Sequence, residues 1–202
     1  MDYRRHRLKA AIALAATLLL SACQTASVSS DPADRFMAKL SSLCGKAFAG
    51  RVITTDAADA DFAGKPLLMH VRECRADEIR IPFHVGDDRS RTWVVTRTAS
   101  GLRLKHDHRH SDGTSDALTM YGGDSAPPGR DDRQTFPADA ASIAMFMASG
   151  RAVSNSNIWA IDVGEEVFAY ELRRPPGPGA RFFRVEVDLT RPIDPPPAPW
   201  GA

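Results

Sequence analysis

Three of the chain's six histidines, His106, His108 and His110, fall inside the stretch LRLKHDHRHSDG. A spacing of two residues marks one face of a β-strand, because successive side chains leave opposite sides of the pleat. As a strand, 102–110 puts Leu102, Leu104, His106, His108 and His110 on one face and Arg103, Lys105, Asp107 and Arg109 on the other. The imidazoles then continue an apolar face, and are expected at the mouth or floor of a cavity. Same-face neighbours lie ~6.6 Å apart along a strand, so two imidazoles could converge on one zinc or copper ion at ~2.0–2.1 Å from each nitrogen. A third ligand would come from His84, His70, Asp112, Asp116 or Asp124. The same residue types also suit a hydrogen-bonded network with Asp87 or Asp88, or general acid–base work by a histidine tuned toward neutral pH.

A second polar cluster, HVGDDRSRTW, offers Asp87, Asp88, Arg89, Ser90 and Arg91 just before a strand. Guanidinium and carboxylate at this density make an ion-pair network, or a bidentate site for an anionic ligand. No GxSxG elbow surrounds Ser90, which argues against a serine nucleophile. The segment DGTSD lacks the spacing and distal Glu of a calcium loop. Paired glycines in MYGGD mark a place where the backbone needs room or a positive φ.

The elements that must position these groups are mostly short strands. Phe36, Met37, Leu40 and Leu43 recur at helical intervals after Asp31 or Asp34, predicting one N-terminal helix that ends at Gly45. From there alternating runs separated by turn residues predict eight to ten strands, with Ala99-Ser100-Gly101 as a hairpin turn and 139–150 as a short second helix. The last strand alternates Phe183, Val185, Val187 and Leu189 with Arg184, Glu186 and Asp188. The expected fold is mainly β: a single antiparallel barrel or sandwich, with a lipocalin-like architecture favoured although no GxW motif is present. Residues 33–191 form this domain, and 192–202, PIDPPPAPWGA, form a proline-rich tail expected to be polyproline II and anchored by Trp200.

The N-terminus reads as a leader. Arg4, Arg5, Arg7 and Lys9 precede an apolar run from Ala10 to Leu20, the pattern of a secretory signal. Leu20-Ser21-Ala22-Cys23 resembles the lipobox of bacterial lipoproteins, which implies removal of 1–22, acylation of Cys23 and a lipidated tether over 23–32. Acyl chains contribute ~0.8 kcal/mol per buried methylene, enough for a durable membrane anchor. Gln24 after the cysteine implies, by the same resemblance, the outer membrane, with the domain facing the periplasm or the cell surface. Of 26 basic and 25 acidic residues the leader holds four and one, leaving 22 against 24, so no basic footprint for nucleic acid exists. Cys44 and Cys74 are then an even pair in an oxidising compartment, expected as one structural disulfide worth roughly 3 kcal/mol.

Taken together, IPFHVGDDRSRTW, GLRLKHDHRHSDG, TMYGGD and FRVEVDLTRP resemble a family of secreted bacterial proteins and lipoproteins with no assigned activity, over roughly residues 43–201. The resemblance implies an envelope location and a single domain, and supplies no catalytic residues. The expected function is a non-catalytic envelope module centred on His106 and His108, with His84, His110, Asp87, Asp88, Arg89, Arg91 and Asp107 around it. It would bind a small ligand, zinc or copper. A metal- or histidine-dependent hydrolase, and a structural protein of envelope assembly, are the alternatives.

Overall fold

The structure, a computed structural model, describes residues 29–127 and 129–202; the leader, Cys23 and Gln24 lie outside the described residues. The elements in chain order are α1 (Pro32–Ser41), β1 (Ala47–Val52), β2 (Leu67–His70), β3 (Glu73–Cys74), β4 (Glu78–Val85), β5 (Asp88–Thr98) and β6 (Gly101–His108). There follow β7 (Tyr121–Asp124), β8 (Arg133–Pro137), α2 (Ala140–Ala148), β9 (Ile158–Val163), β10 (Val167–Arg174) and β11 (Arg181–Ile193). All strand pairs are antiparallel, in the order β7-β6-β5-β4-β2-β1-β11-β10-β9-β8, with the short β3 beside β4. The fold is therefore a mainly β, nearly closed barrel with two helices, as the alternation predicts.

Strand alternation determines what fills it. Ile79, Ile81 and Phe83 of β4, Trp93 and Val95 of β5, Phe168 and Tyr170 of β10, and Val185 and Val187 of β11 all point inward and are buried. Each large apolar side chain removed from water contributes on the order of 1.5–3 kcal/mol. The outward positions carry charge: across β8 to β11, Arg133, Asp162, Glu171, Arg173, Arg184 and Glu186 form one ion-pair ladder. An apolar interior with a charged exterior is the reverse of a transmembrane barrel.

One end is plugged by α1. Asp31 caps it, its side chain accepting from the Ala33 N–H at 2.8 Å, with Pro32 in the first turn where a missing N–H costs nothing. Asp31 and Pro32 thus belong to the helix rather than the tether. Phe36 and Leu40 are fully buried, and Arg97 at the far end of β5 donates to Asp34 at 2.7 Å and Asp31 at 2.5 Å. Just past α1, Cys44 is disulfide-bonded to Cys74 on β3, the expected pair, with Cα atoms 6.2 Å apart.

The barrel closes where β7 meets β8. Ala126 N–H donates to the Thr135 carbonyl and Asp139 N–H to the Gly122 carbonyl, both at 2.9 Å. Ser142 of α2 clamps the same spot, accepting from Gly122 N–H and donating to its carbonyl. Here lies the reason for MYGGD: Gly122 has φ +149°, and a Cβ on Gly122 or Gly123 would run into the Leu104 or Pro137 carbonyl.

The proline-rich tail is a strap. Pro192 and Ile193 still pair with β1, so the strand extends past the expected boundary. Beyond them Trp200 N–H donates to the Arg89 carbonyl at 3.0 Å, and Arg89 Nη1 donates to the Ala198 carbonyl at 3.1 Å. From β11 to β5 is four strand spacings, ~19 Å. Seven residues of polyproline II span ~22 Å, enough for the tail to bridge from the end of β11 to Arg89.

Candidate functional site

The end of the barrel opposite α1 carries a cavity of about 140 Å³. It is built by alternation: β5 brings Arg91 and Trp93, β6 brings His106 and His108, β10 brings Tyr170 and Leu172, and β11 brings Arg181 and Phe183. Phe83 and Tyr121 complete the wall, and Phe62, from the loop after β1, lies over it, its ring centroid 4.8 Å from that of Phe183. Trp93 stacks between Phe83 and Tyr170, with centroid distances of 4.7 and 4.5 Å and interplanar angles of 18° in both pairs. The three stacked rings make one aromatic wall of the cavity.

The histidine strand runs along one wall of this cavity, and its two inward imidazoles differ in role. His106 is 2% exposed and its two nitrogens are both engaged. Nδ1 lies 3.1 Å from the Tyr121 carbonyl, which only accepts, so Nδ1 carries the proton. Nε2 must then accept from the Tyr170 hydroxyl, at 2.8 Å. Burial holds this imidazole neutral, pushing its pKa down to about 3, and burial likewise pushes the Tyr121 phenol up to about 12. His108, nearer the mouth, is also shifted down, first by burial and then by Arg91; its Nε2 is 3.2 Å from the Tyr121 hydroxyl.

Two guanidinium groups guard the mouth. Arg91 Nη1 donates to Asp88 at 2.5 Å, and Asp88 also accepts from Ser90 N–H. Arg181 donates to Asp59 and lies 3.3 Å from Asp56, both on the Phe62 loop. Asp59 is itself held by the Thr54 hydroxyl at 2.7 Å. These bonds latch the loop to β11.

Several of the expected site residues sit elsewhere. His84 is adjacent to Phe83 in sequence and so points the opposite way, out of the barrel; it is buried near His70, not beside His106. Burial and Arg89 lower its pKa, and its Nε2 has no hydrogen-bond partner. His110 is exposed because β6 ends at His108 and the chain turns, with Gly113 N–H donating to the His110 carbonyl. Asp107 faces outward, where it accepts from Arg109 and the Thr119 hydroxyl. The 87–91 cluster is divided: Arg91 and Asp88 serve the mouth, Arg89 holds the tail, and Asp87 is exposed in the turn. Among the described residues no three His, Cys, Asp or Glu side chains gather as a metal set. Asp112, Asp116 and Asp124 are engaged in local turns or, for Asp124, with Arg103.

Of the aromatic residues, Trp93, Tyr121 and Tyr170 line the cavity, whereas Phe168 is buried outside its lining, 5.9 Å from Trp93. Phe62 and Arg181 escape a reading of the sequence. Phe62 lies in a loop of small polar residues with no periodicity. Arg181 is legible in principle, since it shares parity with Phe183 and Val185. Compared with protein-family models, with curated proteins and with solved structures, the chain gives no match.

Proposed function

We propose that this chain is a lipid-anchored protein of the bacterial envelope that holds a small organic ligand in the mouth of its barrel without transforming it. The observation that carries the reading is the aromatic cavity of about 140 Å³ on the histidine face. A cavity of ~150 Å³ accommodates benzene, whereas sites for drug-sized molecules run to ~300–1,000 Å³. The ligand is thus compact, or inserts one ring. Trp93, Phe83 and Tyr170 supply an aromatic wall for it, and His108, Arg91 and Arg181 supply polar contacts at the mouth.

A non-catalytic role fits the state of His106. A general base works best with a pKa near the operating pH, and burial drives this one to about 3. Its remaining lone pair accepts the Tyr170 hydroxyl hydrogen bond, which leaves no free nitrogen for zinc or copper. The envelope location and the anchor rest on the resemblance of Leu20-Ser21-Ala22-Cys23 to a lipobox.

The test is a titration of the purified protein with toluene and with indole, followed by amide and indole N–H chemical shifts. Saturable shifts confined to Trp93, Tyr121, Tyr170 and their neighbours are expected. Shifts scattered over the surface, or none, sink the reading. Separately, Cys23→Ala should abolish incorporation of labelled palmitate and release the protein from the membrane fraction; retention of both label and location would refute the anchor.

A further inference from the structure

We propose that the group recognised at this cavity is a carboxylate borne on a single ring, and that Arg181 and Arg91 are the residues that receive it. The proposal rests on the cavity reading above and adds the chemical class of the ligand.

Charge at the cavity wall is one-sided. Two guanidinium groups and the His108 imidazole line it, and among the described residues lining it none is acidic. The carboxylates that partner these cations, Asp88, Asp56 and Asp59, are not part of the wall. They fix the guanidinium groups in place and leave each with further N–H donors, since a guanidinium carries five.

Arg181 is held through Nη2, which donates to Asp59. Its side chain is only 10% exposed, yet Nη1 makes no hydrogen bond; the Asp56 oxygen 3.3 Å away is not in line with an N–H. Buried donors are nearly always satisfied in a native protein. Arg181 lines the cavity, and a ligand oxygen that takes the place of the misaligned Asp56 contact would satisfy this donor. A carboxylate oxygen is the acceptor that matches a guanidinium in both charge and planar geometry.

The cavity's size fixes the rest. Its volume of about 140 Å³ admits one ring against the aromatic wall of Phe83, Trp93 and Tyr170. The guanidinium groups sit beside Phe62 and Phe183, with Arg91 Cζ 5.6 Å from the Phe62 centroid and Arg181 Cζ 5.7 Å from the Phe183 centroid, where a ring in the cavity presents its substituent. His108 stands on the same rim, with the Tyr121 hydroxyl on its Nε2.

The experiment is calorimetric titration of the whole protein with benzoate, with its neutral near-isostere benzamide and with toluene, at neutral pH and two salt concentrations. Benzoate is expected to bind at least about tenfold tighter than benzamide, a preference weakened by salt. Arg181→Gln should bring the two within about threefold while benzamide binding persists; Arg91→Gln is the second variant should the first unfold, thermal melting reporting which. If benzamide or toluene binds as well as benzoate, the carboxylate assignment is overturned and the cavity reading stands. If none of the three binds up to about 10 mM, both are overturned.

Discussion

Replacing His106 by Gln should remove much of the acid sensitivity of the fold. Glutamine keeps a donor for the Tyr121 carbonyl and an acceptor for the Tyr170 hydroxyl, but does not titrate. The folded imidazole has a pKa of about 3, against ~6.5 in the unfolded chain. Between those values the unfolded state binds more protons, so stability rises with pH. The contribution is fully present above pH ~6.5 and is lost as pH falls toward 3. Each tenfold change in proton activity across that window is worth at most ~1.36 kcal/mol, and integrating the linkage gives a loss of about 2 kcal/mol between pH 7.5 and 5. No solvent-screening discount applies, since the ring is 2% exposed. The assay is urea unfolding of wild type and His106→Gln at both pH values, comparing the two changes. His108, His84 and His70 have lowered pKa values too, chiefly from burial, and add loss in the same direction. They cancel in the comparison. A pH dependence equal in the two proteins within about 0.5 kcal/mol would refute the buried, neutral state of His106.

Other consequences follow from single contacts. Tyr170→Phe leaves His106 Nε2 buried without its donor and should lower stability by about 1–3 kcal/mol, read as a lower urea midpoint at unchanged slope. Glu171→Gln removes the charge shared by Arg133, Arg173 and Arg184; burial pushes this carboxyl up, but the three guanidinium bonds bring it down to about 2. Breaking it should cost about 3 kcal/mol or more, and an unchanged melting curve would mean the ladder contributes nothing. Gly123→Ala pushes a methyl into the Pro137 carbonyl at the β7–β8 seam, and should destabilise the protein by more than about 3 kcal/mol. Hydrogen exchange of the Ala126 amide would show whether the seam has opened.

Much of this architecture is written in the period of the sequence. A two-residue repeat is enough to assign inward and outward positions, so LRLKHDH on β6 and RVEVDL on β11 declare their faces without any structure. Parity also explains where the expectations fail. It holds only while the strand lasts, and β6 stops at His108, which sends His110 into solvent. It distinguishes faces within a strand, so an inward Ile79, Ile81 and Phe83 already require His84 to face outward, away from His106. What no local pattern carries is the pairing between distant segments. The contact of Arg181 with Asp59 joins residues 122 positions apart, and the ion-pair ladder joins four strands through outward residues that look individually like ordinary surface charge. The tail's seat on Arg89, 109 positions away for the Ala198 contact, is of the same kind.

That tail has a consequence for the order of assembly. Its landing place is made from the Arg89 carbonyl and, at Gly201, from the turn at Gly113 and the stem of Arg109. These lie in the middle of the chain, so the seat is synthesised long before its occupant. A nascent chain therefore carries an open berth until residues 198–201 emerge, and a product truncated at Pro195 leaves that berth uncovered.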